Sequence, residues 1–377
     1  MVIVHTMNDK ANYTQNNFKW FVGGTCSAML CLSGIEIKEF FLNPNACIEV
    51  YRRGIPLARE LFGCEVAMPP ISTPLIKYGH VNTLGAKLNF PTGGEVHHIP
   101  PFTDINEAIR QLQKPVDFAA AGLTPFYIDF RDKLQQAFPD DHVGFGWQWE
   151  GPITTAWELL GGGFMYDLMD KPQTVRQFLE IVTVSIVEYC KFYCKVEETR
   201  YLKPWPDHGR VCDDIAAMVP AWMWPEFVLP YWEMFFDGPV QTKMAHCEDM
   251  RPEQLKFLAQ VALTDYDPGI SPKLNPKIIK QNISTPFGWR LGSFHYSTMN
   301  CQDVSDFVFQ AVADGASCVF SYIESIMCDE ATAKKVQSFI AAAKEADQLL
   351  SQGMPRQQIG QRVSSAGRRK FWDNWQQ

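Results

Sequence analysis

From about residue 145 onward the chain repeats one pattern, in which a short apolar run ends in polar residues and a stretch with helical spacing follows. The runs fall at 145–150, 201–214, 241–248, 263–267, 287–291 and 317–324, and the helical stretches at 171–194, 225–236, 252–261, 276–281, 301–313 and 331–350. Pro172, Pro225 and Pro252 stand where a first helical turn tolerates a missing N–H. Strands alternating with helices require a parallel sheet, so the pattern predicts an α/β protein of the (β/α)8 TIM barrel class. In the first half, 105–112 has helical spacing with Ile105, Ala108, Ile109 and Leu112 on one face, but the pattern gives no position for the first two strands. Residues 1–60 are expected to be an N-terminal helical extension packed on the barrel. Residues 355–377, with Gln357, Gln358, Gln361, Arg362, Arg368, Arg369 and Lys370, form a polar tail that Phe371, Trp372 and Trp375 could pin. No linker, repeat or charge run divides the chain, so 1–377 reads as a single domain.

Composition narrows the partners more than the fold. With 377 residues, 46% hydrophobic and 20% charged, the chain has material for one large core. A formal net charge of -8 argues against nucleic acid or an anionic membrane, both of which favour a basic face, and leaves a small molecule or a protein partner. The 11 cysteines are odd in number and follow no disulfide or zinc-ribbon spacing, which fits a reducing cytoplasm. The chargeless stretch 20–35, with Gly23, Gly24, Thr25 and Ser27, is too short and too polar to span a bilayer and is expected to be buried structure.

In a (β/α)8 barrel the reactive groups stand at the C-terminal ends of strands. His246-Cys247-Glu248 closes one run, and alternation along a strand puts His246 and Glu248 on one side with Cys247 on the other. Imidazole plus carboxylate suits Zn2+ with a fourth position left open; the same triplet also reads as a solvated strand end. Glu324 ends the most β-like run and would be costly to bury without a partner or ion, or else it faces solvent at the barrel mouth. Cys247, Cys318, Cys328 and Asp213 are alternative ligands, with Cys318 the one most in keeping with a core. Asp213 and Asp214, after His208 and Arg210, bind substrate, orient a ligand, or cap a helix. Asp265 and Asp267 precede a Pro268-Gly269 turn. Trp147, Trp149, Trp205, Trp222, Trp224 and Trp289 line a pocket for a planar ligand or form ordinary core. Gly161-Gly162-Gly163 lacks the spacing of a phosphate loop.

Five segments carry a resemblance: Glu150-Gly151-Pro152-Ile153-Thr154-Thr155-Ala156, Gly161-Gly162, Cys212-Asp213-Asp214-Ile215-Ala216, Phe227-Val228-Leu229-Pro230-Tyr231 and Ala245-His246-Cys247. They resemble the uroporphyrinogen decarboxylase superfamily, over about 144–345. The resemblance implies a (β/α)8 barrel and either the decarboxylase itself or zinc-dependent methyltransferases that work with a corrinoid protein or coenzyme M. The decarboxylase branch fits less well, because no arginine-bearing segment before residue 50 matches its carboxylate grip. The methyltransferase zinc motif is similar to His-x-Cys with a second Cys near the last strand's end. Here those places hold His246, Glu248 and Glu324, so only the histidine matches, and carboxylates offer the ion harder ligands suited to an oxygen substrate.

The expectation is therefore a cytoplasmic, anaerobic O-demethylase component that moves a methyl group from a small aromatic methyl ether to the cob(I)alamin of a corrinoid protein. Zn2+ on His246, Glu248 and Glu324 would stabilise the phenolate, with His246, Glu248 and Asp214 as catalytic groups. Trp147, Trp149 and Trp289 would sandwich the ring, while Glu150, His208 and Arg290 would contact its substituents. A homodimer is allowed for. The rivals are a metal-free decarboxylase working through Asp214 and Arg290, and a catalytically silent ligand-binding barrel.

Overall fold

The computed structural model describes residues 18–197, 208–237 and 242–367. Its strands, in chain order, are β1 (Lys19–Gly24), β2 (Lys87–Asn89), β3 (His97–Ile99), β4 (His208–Cys212), β5 (Thr242–His246), β6 (Asp265–Asp267), β7 (Gly288–Leu291) and β8 (Cys318–Ile323). Two compact units emerge: described residues up to 35, 49–69 and from 248 onward form one, and 36–48 with 70–247 form the other. Both are α/β.

In the first unit, β1 and β7 flank β8 in parallel register, Lys19 opposite Cys318 and Gly288 opposite Cys318. Single parallel bridges extend the sheet on both sides, Gly23 to Ala67 and Tyr266 to Phe287. Every residue of β8 is buried, and Phe21 stacks on Phe320 with ring centroids 4.9 Å apart. The helix Cys301–Ala313 connects β7 to its parallel neighbour β8, and the helix Glu330–Ser351 follows β8. The expected N-terminal helical extension is corrected by β1, which places 19–24 inside the sheet. β1 is half-buried over Lys19–Phe21 and buried over Val22–Gly24, and the helices Cys26–Ser33, Ile37–Leu42 and Pro44–Phe62 follow it, so the segment is helical only after the strand. The helix Pro44–Phe62 crosses the helix Cys26–Ser33 at Gly54, where a Cβ would fall 2.6 Å from Met29 Cβ. Gly54→Leu should therefore cost about 1–3 kcal/mol by overpacking, read as a lowered thermal midpoint; an unchanged midpoint would show that the two helices part freely.

The tail from 355 is held as far as it is described. Arg356 donates to the Ala316 carbonyl (2.7 Å), and Ser364 N donates to Asp306 (2.9 Å). Arg368, Arg369, Lys370, Phe371, Trp372 and Trp375 lie outside the described residues, as does Trp205.

In the second unit, β4 and β5 are parallel, His208 opposite Thr242 and Cys212 opposite His246. The predicted strand at 145–150 is extended chain that pairs in parallel with 71–80 through the bridges Ser72 to Gly144 and Ile76 to Trp147 and through backbone bonds such as Thr73 N to Gly144 O, Ile76 N to Gly146 O and Gln148 N to Ile76 O, and Gly151 N donates to Cys212 O. The long helix Pro172–Val196 buries Val175, Phe178, Leu179, Val182 and Ile186, a stripe at three- and four-residue spacing. The helical stretch expected at 225–236 divides at Val228 into Trp224–Phe227 and Leu229–Phe235, with Pro230 in the new first turn. The helix Ile105–Leu112 forms where expected, N-capped by Asp104. Among the described residues no helix is long and apolar enough to cross a membrane.

Candidate active site

In the second unit the C-terminal ends of the parallel segments bring four charged or ionisable groups into one electrostatic cluster. Lys77 follows the Ile76 bridge, Glu150 follows Trp147, Asp214 follows β4, and His246 ends β5. Glu150 is 8% exposed, and Lys77 Nζ lies 3.2 Å from its Oε1. Burial pushes the Glu150 carboxyl up to about 7; the Lys77 charge opposes the shift, Asp214 adds to it, and His246 opposes it. His246 is buried, with Nε2 3.7 Å from Asp214 Oδ1, while the Asp214 side chain is 45% exposed. This is a carboxyl poised to hold a proton at neutral pH beside a half-exposed lysine and a His–Asp pair.

The local chain explains how Glu150 is held. The Asp213 carboxylate accepts from Thr154 N (2.6 Å), Ile153 N (3.3 Å) and Trp232 Nε1 (2.7 Å). It thereby caps the helix Pro152–Leu160, which starts two residues after Glu150. The expected cap on a helix beginning after Asp213 does not form, since its side chain makes no cap bond to the turn Asp214–Met218; the carboxylate meets the start of a helix some sixty residues upstream instead. Gly151 permits it, because a Cβ there would fall 2.6 Å from Asp213 Cβ. Asp213 N in turn donates to His246 O, and Cys247 Sγ to Asp213 O. Burial raises Asp213 to about 6, against the opposing pull of the three donated bonds. Glu158 on the same helix is 1% exposed, and its Oε2 has no hydrogen-bond partner among the described residues. Burial, and then the nearby Glu150, raise its pKa well above the carboxylate range.

The remaining predicted residues scatter. Trp147 is wholly buried; its ring stacks on Tyr127 at 4.4 Å, and its N–H donates to Thr124, so it belongs to the core rather than to a ring sandwich. Trp149 is half-buried, edge-on to Tyr193 at 5.0 Å. His208 opens β4 instead of ending it, so its backbone stands at the opposite end of the strand from Asp214.

In the first unit, Glu324 ends β8 as expected, but its carboxylate accepts from Ser27 and lies 3.0 Å from the Thr25 hydroxyl. Glu248 accepts from Ile270 N (3.3 Å) and fills the space above Gly269, whose φ of +60° and missing Cβ admit it. Trp289 is 3% exposed, and the Arg290 guanidinium lies 5.0 Å from the Tyr322 ring. Among the described residues no group of three or more His, Cys, Asp or Glu side chains could hold a metal ion.

The sequence profile of the family described as uroporphyrinogen decarboxylase (URO-D) matches residues 32–267. The chain belongs to the uroporphyrinogen decarboxylase family. The match begins far earlier than the 144 suggested by visible motifs and ends at 267, well short of the 345 they suggested, so the first half carries the family pattern and the last strands lie outside it. Among solved structures, a methyltransferase from Methanosarcina mazei is similar, with 17% identity over 87% of this chain and 94% of that one and a TM-score of 0.63, a likeness of fold. No curated protein matches the sequence. Lys77, Glu150, Asp213, Asp214 and His246 all lie inside the family match. Motif reading missed Lys77 and Glu158: the run Pro74-Leu75-Ile76 that Lys77 closes is too short to read as a strand, and Glu158 sits inside a helix.

Proposed function

We propose that this member of the uroporphyrinogen decarboxylase family is a methyltransferase that removes the methyl group of a small aromatic methyl ether, with a corrinoid protein as acceptor, on a closed (β/α)8 barrel. The observation that carries the reading is the buried Glu150 carboxyl, raised to about 7 among Lys77, Asp214 and His246. An aryl ether oxygen is a poor leaving group until it is protonated or its charge is met. Protonated Glu150 donates its proton to that oxygen as the C–O bond breaks, and the phenol leaves neutral. Lys77 then faces the new Glu150 carboxylate, and the Asp214–His246 pair returns the proton from solvent. Half-buried Trp149, next to Glu150, offers its ring to the arene. The acceptor supplies the cob(I)alamin nucleophile that takes the methyl group. A methyltransferase from Methanosarcina mazei has a similar fold, so this scaffold is compatible with the methyltransferase reading.

Zn2+ on His246, Glu248 and Glu324 would meet the oxygen's charge in another way. The donor set does not fit it, because Glu324 is engaged by Thr25 and Ser27 and no ligand trio is gathered among the described residues. No step above runs through zinc.

The test is anaerobic incubation with cob(I)alamin, free and protein-bound, and a panel of methoxyarenes, with metal content measured on the same sample. Phenol release matched mole for mole by methyl–cobalt formation is expected, and it should survive chelation. CO2 release from carboxylated arenes without methyl transfer would instead establish the decarboxylase, and ligand binding without any product the silent barrel. Activity that chelation abolishes and Zn2+ restores would overturn proton delivery by Glu150 as the activating step.

A further inference from the structure

The β7 and β8 strands have a second end, and a cavity of about 530 Å³ opens there. It is lined by Phe287 and Ser317, which immediately precede β7 and β8, by Lys280 and Thr285, and by Leu350 and Arg356 from the chain that closes the unit. Glu324 stands beyond the other end of β8, about 20 Å away at 3.3 Å per residue. The cavity is therefore separate from the strand ends at which reactive groups were sought.

Its chemistry is one-sided. Two cations, Lys280 and Arg356, line it, and none of the lining residues carries a carboxylate. Arg356 uses Nη1 on the Ala316 and Val312 carbonyls (2.7 and 3.4 Å), which fixes the guanidinium while leaving it further N–H donors. Thr285 and Ser317 are 9% and 6% exposed, and neither hydroxyl hydrogen-bonds to another described residue. Both oxygens reach the cavity surface, where a bound group can meet them. Two such groups beside two cations make a polar end, and Phe287 and Leu350 make an apolar wall. The volume falls in the range of small-molecule sites.

We propose that this cavity binds a small organic anion, with an oxyanion head held by Lys280, Arg356 and the Thr285 and Ser317 hydroxyls and an apolar body against Phe287 and Leu350. It is a second ligand site, independent of the reaction at Glu150. A barrel's N-terminal strand face ordinarily serves stability alone, so a ligand here stabilises the folded chain by mass action.

Isothermal titration of the full chain with phenyl phosphate and with benzoate, against phenol as the uncharged body, tests it. At least one anion should bind below about 10 mM with phenol failing to do so. Lys280→Ala should weaken binding about tenfold, the loss of one charge-assisted hydrogen bond. Ser284→Trp, at the exposed rim, should abolish it by filling the mouth. Both positions are exposed, so both variants should fold, and Glu150→Gln should bind as wild type does. Absence of binding by both anions, phenol binding as tightly as phenyl phosphate, or wild-type affinity in Lys280→Ala and Ser284→Trp would each overturn the site.

Discussion

Glu150→Gln lowers turnover by about 10²–10⁴-fold, the loss expected when a positioned general acid is replaced by a side chain that can donate a hydrogen bond but no proton. The wild-type rate depends on pH in a direction fixed by the raised carboxyl. Glu150 is protonated below about 7, so turnover is highest there and falls about tenfold per unit above it, whereas the residual rate of the variant is flat across the same range. A wild-type rate that instead rises through pH 7 would assign Glu150 as a base and sink the proposed proton delivery.

The same residue separates function from stability. A carboxyl whose folded pKa is raised favours the fold in its protonated form. Its contribution is fully present below the unfolded value of 4.5 and is lost as pH rises to about 7, on the order of 3 kcal/mol in all. Glutamine has no such slope. At pH 8 the variant should unfold no earlier than wild type, since it removes a buried charge and leaves Lys77, 53% exposed, free to turn to water. Loss of rate together with loss of stability at pH 8 would mean that Glu150 is structural. That combination of readings distinguishes a working acid from a mere ion-pair partner.

How much of this was legible depended on range. His246 could be found from the sequence because a strand end is a local pattern, an apolar run closed by a polar residue, and Glu324 was placed at its strand end for the same reason. The partners were not legible. Thr25 and Ser27 meet Glu324 across nearly three hundred residues, and Lys77 reaches Glu150 from a short irregular segment that pairs through two single bridges and a few backbone bonds. A strand that contributes one or two bridges leaves no periodicity to read, which is why the first half yielded a helix at 105–112 but no strands. The place of His208 at the start of β4 was not legible, because an apolar-to-polar transition does not say which end of a five-residue strand it marks. Trp147 and Trp149 are one residue type two positions apart, and only packing distinguishes the buried ring on Tyr127 from the half-open one beside Glu150.

Asp213→Ala should be the most destabilising single change in the second unit, at about 3–5 kcal/mol. Three donors, Thr154 N, Ile153 N and Trp232 Nε1, lose their acceptor together, and Asp213 itself is wholly buried, so water does not readily replace it. The N-terminal end of the helix Pro152–Leu160 also loses the negative charge that its dipole favours. Asp213→Asn should recover only part of the loss, because its single carbonyl oxygen replaces two acceptors and its NH2 turns donors against donors. Urea unfolding at pH 7, followed by tryptophan fluorescence, reads the order wild type, then Asn, then Ala. The cap lies directly after Glu150-Gly151, so the Ala variant should also lose the pH 7 inflection in rate while it is still folded in dilute urea-free buffer. A midpoint within about 0.5 kcal/mol of wild type, the range of an ordinary surface substitution, would mean that another group takes over the helix end. An unshifted inflection in a destabilised variant would show that Glu150 is positioned by β4 through the Gly151–Cys212 bond, and not by the carboxylate that caps the helix behind it.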